Sequence, residues 1–168
     1  MAVAKRLVFP SKMQVEVEEF EIPDDPKPGE VIVENLCSLI SPGTELAMFT
    51  ETHIGFPIPD FTYASFPFRP GYATVGRAAK VGFGVDDIAE GDVIFTRNGH
   101  ESHTLVRTSR PIHKAPPGMA VQHVPFAALA QIALTAVRVT DTRLGFTAAV
   151  FGQGLIGNLA AQLLQRAG

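Results

Sequence analysis

From Lys5 to Pro111 the apolar positions recur with a period of two or in short runs. Segments 6–9 and 14–20 alternate, with Val15 and Val17 interleaved with Glu16 and Glu18. β-Branched residues at that period signal strands. Pro23, Pro26, Pro28 and Gly29 break the chain before a strand over 30–36 that carries Val31, Ile32 and Val33. Further strands are predicted over 72–81, 93–96 and 102–106, with turns at Gly82-Phe83-Gly84 and Gly91-Asp92. Many short strands between Gly/Pro turns predict a barrel-like, mainly β unit.

The period changes near Pro116-Pro117-Gly118. Residues 124–140 are rich in Ala and Leu and predict one or two helices. A loop over 141–145, a short apolar strand over 147–151 and a second helix over 158–167 follow.

Segment 148–157 adds chemistry to this pattern. Gly152, Gly154 and Gly157 form G-x-G-x-x-G between the predicted strand and helix, the setting of a dinucleotide-binding turn. Gly152 would make the tight turn, Gly154 would let a pyrophosphate approach the backbone, and Gly157 would allow close helix packing. The helix N-terminus would offer free N–H groups and a positive dipole end. Gly152, Gln153, Gly154, Leu155, Ile156 and Gly157 are therefore the candidate cofactor-binding residues. The other reading is a Gly-rich turn with no ligand. The ribose-contacting residue that separates NAD from NADP falls about 20 positions further on, so both remain open.

Composition narrows the classes. The chain has 168 residues, enough for one domain or one domain and a piece of a second. Hydrophobic residues are 46% and charged residues 18%, which supports a packed core. The formal charge is -3 with no basic run, which argues against nucleic acid as a partner. One cysteine, Cys37, excludes an internal disulfide and a four-thiolate metal site, so a reducing cytosol is the expected compartment. No apolar run reaches the roughly 18 residues of a membrane span. Cys37 itself, in an apolar run, reads as a buried and inert thiol.

The order of these pieces resembles the medium-chain dehydrogenase/reductase superfamily, the zinc-type alcohol dehydrogenases and their relatives. Pro28-Gly29-Glu30-Val31 resembles the family's P-G-E-V, Gly71-Tyr72-Ala73-Thr74-Val75-Gly76 its G-H-E-x-x-G, and Val81-Gly82 through Gly91-Asp92-Val93-Ile94 its V-G-x-G-V…G-D-x-V. Leu134-Thr135-Ala136 followed by the glycines resembles the joint and cofactor loop. The resemblance implies a GroES-like catalytic domain over 1–123, a helical joint over 124–146 and the first β-α unit of a Rossmann domain over 147–168, with the chain ending inside that domain. It adds Thr135 to the cofactor-binding candidates.

The zinc-ligand positions depart from the family. In Leu39-Ile40-Ser41-Pro42-Gly43-Thr44-Glu45, Ser41 stands at the usual Cys, Tyr72 at the usual His, and Gln131 at the third ligand. Hydroxyls and an amide are poor zinc ligands, so a zinc-free branch is expected, similar in that respect to quinone and enoyl reductases. The I-S-x-G-T-E form also resembles the bacteriochlorophyllide-dehydrogenase-like members.

The resemblance then implies an oxidoreductase moving a hydride between NAD or NADP and a carbonyl, alcohol or activated alkene. Tyr72 is the candidate proton donor, and Ser41 and Thr44 would relay a proton or hold the nicotinamide ribose. The structural alternatives are a core aromatic for Tyr72 and turn residues for Ser41 and Thr44. Glu45 would pair with an Arg or open a helix as its N-terminal acid. His100 and His103, three apart in a predicted strand, would point to opposite faces and not share a metal. The Phe56–Phe68 aromatic stretch reads as a substrate-facing loop or a surface flap. The expected partners are a small-molecule substrate and further copies of the chain. The 168-residue chain by itself is expected to be inactive and prone to associate. The competing class is a non-catalytic binding module or degenerate fragment.

Overall fold

The computed structural model describes residues 1–110, 112–140, 143 and 145–167, and the chain divides into two compact units after Pro125. In the first unit, strands β1 (Ala2–Val8) and β2 (Glu16–Ile22) form an antiparallel hairpin. Strands β3 (Glu30–Ser38), β4 (Thr74–Val81), β5 (Val93–Thr96), β6 (His103–Arg107) and β7 (His113–Lys114) form a five-stranded antiparallel sheet in the order β6-β3-β4-β5-β7. Single bridges between Arg6 and Glu101 and between Phe9 and Phe68 tie the hairpin region to later loops.

Strand β3 is covered on both sides, which accounts for its unbroken apolar run. Val31 and Val33 face Ala78, Ile88, Ile94 and Val106, while Ile32 faces Ala4 and Ile22. Each such valine or isoleucine contributes roughly 1.5–3 kcal/mol by leaving water. In β2 the alternation is inverted relative to a simple apolar-in pattern. Val17 is exposed, whereas Glu18 accepts a 2.7 Å hydrogen bond from Arg6 Nε, and the Arg6 guanidinium lies 4.6 Å from the centre of the Phe20 ring.

The second unit begins at Phe126. Helices α2 (Phe126–Val139) and α3 (Leu155–Ala167) pack against each other. Helix α2 buries Ala128, Leu129, Ala133 and Val137, one stripe at helical spacing. Among the described residues no helix is long and apolar enough to cross a membrane.

The Ser-Pro-Gly-Thr stretch leads into a one-and-a-half-turn helix, α1 (Thr44–Phe49), as one of the two readings of Glu45 has it. One sequence expectation changes. The apolar run 147–151 forms no strand. A strand requires a neighbour for its N–H and C=O groups. Among the described residues none pairs with this run, and Phe151 stands 97% exposed.

Candidate active site

The site is assembled by the end of β3, the start of α1 and two loops. After Ser38 the chain turns, held by the Leu39 N–H donating to the Ala73 carbonyl at 2.8 Å. Glu45 sits in the first turn of α1, and its carboxylate reaches back over the preceding loop. Oε1 accepts the Ser41 backbone N–H at 2.9 Å, and Oε2 accepts from His100 Nε2 at 2.7 Å. The other ring nitrogen, Nδ1, is 2.7 Å from the Ser38 hydroxyl. Glu45 is 4%, Ser41 7% and His100 8% exposed, so these groups have exchanged water for one another. An ionised carboxylate accepts only, so Nε2 carries a hydrogen in either charge state of the ring.

A second set of contacts brings Tyr72 to the same place. Gly71 has φ +100, and a Cβ there would meet the His100 nitrogen at 2.6 Å, so only glycine lets the two loops touch. The His100 N–H donates to the Pro70 carbonyl at 3.0 Å. The Thr74 hydroxyl is shared between the carbonyls of Asn98 and Gly99, at 2.9 and 3.1 Å. Loop 98–100 is thus clamped to segment 70–74. The predicted strand over 72–81 begins only at Thr74, which leaves Tyr72 in the clamped loop. There its phenol donates to Ser41 Oγ at 2.7 Å. With its oxygen receiving the phenol hydrogen, Ser41 keeps its own hydrogen to offer elsewhere.

Tyr63 belongs to this neighbourhood and was not among the sequence candidates. Burial holds its phenol above the ordinary value, and the nearby Tyr72 phenol and Glu45 carboxylate add to the rise. Its ring meets Phe68 edge-on at 5.7 Å and His53 at 5.8 Å, within the aromatic stretch noted in the sequence.

The structure unites Ser41 and Tyr72. Thr44, the first residue of α1, is half-buried and makes no side-chain hydrogen bond among the described residues. Glu45 opens a helix as one of the two sequence readings has it, but its partner is His100 rather than an arginine. His100 and His103 diverge: His103 sits on β6 with Nδ1 3.1 Å from the Ser102 hydroxyl. Cys37 is half-buried, its thiol pushed up by burial and directed at the Val121 carbonyl at 3.9 Å.

Zinc, which the family resemblance implies, can be tested against these donors. Ser41 and Tyr72 hold each other, Glu45 and His100 hold each other, and neither hydroxyl is a strong zinc ligand. Among the described residues no group of three or more His, Cys, Asp or Glu is placed to hold a metal ion. The donor set does not fit zinc.

In the second unit Gly152 has φ +90, and helix α3 opens at Leu155, with the Asn158 N–H donating to the Gly154 carbonyl at 2.9 Å. A Cβ on Gly157 would overlap the Gly152 carbonyl oxygen, whereas one on Gly154 would meet nothing. Gly157 is therefore required by the loop itself, and Gly154 leaves open space over the backbone. Gln153 and Ile156 are exposed, and Leu155 is half-buried. These residues fit a pyrophosphate at a helix N-terminus. Thr135, on α2, is exposed and donates to the Gln131 carbonyl one turn back at 2.9 Å. A pocket of about 400 Å³ in this unit is lined by Arg143, Phe146, Val150, Gln153 and Leu164, apolar groups with the Arg143 and Gln153 donors among them.

No protein-family model matches the sequence. Solved structures do. 2R,3R-butanediol dehydrogenase from Bacillus subtilis is 22% identical with a TM-score of 0.78, over 98% of this chain and 55% of that one. Galactitol-1-phosphate dehydrogenase from Escherichia coli is 20% identical with a TM-score of 0.77, over 98% and 53%. A protein described as a short chain alcohol dehydrogenase from Escherichia coli, complexed with NADH, is 19% identical with a TM-score of 0.78, over 98% and 54%. At these identities the likeness is one of fold. The chain has the fold of the zinc-type medium-chain alcohol dehydrogenases, a β-rich GroES-like domain followed by helices, and spans about half the length of the structures it matches.

Proposed function

We propose that the chain is part of a nicotinamide-dependent oxidoreductase that polarises its substrate with a hydroxyl pair instead of a metal. The observation that carries this reading is the 2.7 Å hydrogen bond from Tyr72 Oη to Ser41 Oγ, formed by the two residues that stand at usual zinc-ligand positions. Fold likeness to dehydrogenases, one of them complexed with NADH, supports the reaction class.

NAD or NADP would supply or accept the hydride. Gly152, Gln153, Gly154, Leu155, Ile156 and Gly157 would hold its pyrophosphate at the start of α3, with Thr135 as a further contact. Ser41 presents its free hydroxyl hydrogen to a substrate carbonyl, and Tyr72 returns a proton to Ser41 as charge develops on the substrate oxygen. A positioned donor of this kind contributes roughly 10²–10⁴-fold. Thr44 is the remaining hydroxyl at the head of α1, available to a cofactor ribose or to the substrate. The substrate is a small carbonyl compound, alcohol or activated alkene. The working enzyme is a zinc-independent, cytoplasmic homo-oligomer.

Fluorescence titration of NADH and NADPH into the protein made from its complete reading frame tests the reading. Saturable enhancement with one or both, abolished by Gly157→Ala, is expected. No saturable binding of either would sink it.

A further inference from the structure

The buried chain behind the hydroxyl pair has an interruption that defines its role. Ser38 Oγ, His100 Nδ1, His100 Nε2 and Glu45 Oε2 are linked by side-chain hydrogen bonds of 2.7 Å. The next link, from Ser41 to Glu45 Oε1 at 2.9 Å, uses the Ser41 backbone N–H. A peptide N–H does not release its proton in this range of chemistry, so the chain cannot pass a proton to the hydroxyls. It can transmit position. Glu45 uses one oxygen for His100 and the other for Ser41, so the imidazole decides where the carboxylate sits, and the carboxylate fixes the Ser41 N–H while the Glu45 backbone N–H holds the Ser41 carbonyl at 3.0 Å. The imidazole is fixed independently from three directions. The His100 backbone N–H donates to the Pro70 carbonyl, the same backbone lies against Gly71, and Ser38 caps the far ring nitrogen.

We propose that His100 is a positioning residue for the hydroxyl pair: through Glu45 it sets the Ser41 backbone so that Ser41 Oγ receives the Tyr72 hydrogen. This rests on the function proposed above only in what the pair is for. The positioning itself is a property of the chain without cofactor or substrate. It also gives Glu45 a reason to be buried. A carboxylate with one fixed partner on each oxygen holds two loops at a set separation, which an alkyl group of the same size would not do.

The chain has two tyrosines, Tyr63 and Tyr72. Incorporating tyrosine labelled with ¹³C at Cζ therefore gives two NMR signals, and Tyr72→Phe assigns them. In His100→Ala the Tyr72 signal is expected to move towards that of an unbonded phenol, with an unchanged far-ultraviolet circular-dichroism spectrum as the control for folding. His100→Gln, whose amide reaches the Nε2 position and can donate to Glu45, is expected to restore most of the shift. Ser38→Ala should move the signal less than His100→Ala does. A folded His100→Ala chain with an unmoved Tyr72 signal overturns the proposal. Should that variant unfold, His100→Phe carries the test. It fills the same space but offers Glu45 no donor, and an unmoved Tyr72 signal there overturns the proposal equally. Because no turnover is read, failure here leaves the hydride-transfer reading intact. Failure of that reading appears instead as absent NADH and NADPH binding.

Discussion

The hydroxyl site and the glycine loop are built by opposite means. At the site, side chains from three elements are removed from water and fixed by one another: Glu45, His100 and Ser41 are nearly inaccessible, and every link is a specific hydrogen bond. At the loop, shape comes from the backbone alone. Gly152 adopts φ +90, Gly157 has no room for a Cβ, and the surrounding positions stand open. The first design fixes its side chains through directional hydrogen bonds. The second leaves a bare, dipole-bearing surface that any phosphate of the right shape can approach. The difference teaches that a substitution at the site acts through unsatisfied partners, and one at the loop acts through sterics.

The largest effect should follow from breaking the buried pair. Glu45→Ala or His100→Ala leaves a buried polar partner without solvent, which costs about 1–3 kcal/mol and more for a charged group. Urea titration should show the midpoint falling sharply in both, and the double variant should cost much less than the sum. Additive losses would show that the two residues do not act as a unit.

Next comes the loop. Gly157→Ala should cut NADH binding at least tenfold, because the added methyl must displace the Gly152 carbonyl, while the sheet unit keeps its stability. Gly154→Ala meets nothing in the free chain, so it should fold normally and lose affinity only when a phosphate must sit there. Equal behaviour of the two in thermal melts of the free chain would contradict this distinction.

Tyr72→Phe separates chemistry from stability. It removes one hydrogen bond, worth about 1 kcal/mol, and should barely move the melting temperature, yet it should lower the hydride-transfer rate by the factor a positioned donor supplies.

The smallest effect concerns pH. Burial holds the Glu101 carboxyl above its ordinary 4.5, against the opposing pull of Thr104, Arg6 and Arg69. The folded chain then binds that proton more tightly than the unfolded chain. Its contribution is present below pH 4.5 and is lost as pH rises through the raised folded value. Asp92 behaves oppositely. The Ala89 N–H and Lys114 hold its carboxyl below 3.8, so its contribution is present above that value and lost as pH falls. Glu101→Gln should flatten stability against pH just above 4.5 and leave the acid limb unchanged, measurable by melting temperature across pH 3–7.

The strands were legible in the sequence where one residue pattern admits one environment. Val31-Ile32-Val33 reads as a doubly covered strand and is one. Segment 93–96 is a strand with the predicted bounds. The glycine loop was legible because its spacing is local. Helix α1 was legible only as one of two readings of Glu45, since six residues after Ser-Pro-Gly carry too few periods to outweigh turn chemistry. Ser41 and Tyr72 were singled out by motif position, but their contact spans 31 residues and depends on two loops touching. His100 has no such signal in the sequence, because its partner lies 55 residues away and its neighbour His103 suggests only metal spacing. The run 147–151 has the composition of a strand, but pairing is a property of two segments, and composition reports only one.

The most direct test of the central claim is single-turnover hydride transfer from NADH or NADPH to an aldehyde, a quinone or an enoyl thioester, with 1,10-phenanthroline present throughout. The account predicts that the chelator leaves the wild-type rate unchanged and that Tyr72→Phe slows it by roughly 10²-fold or more. A wild-type rate abolished by the chelator, or a Tyr72→Phe variant at full speed, would contradict it.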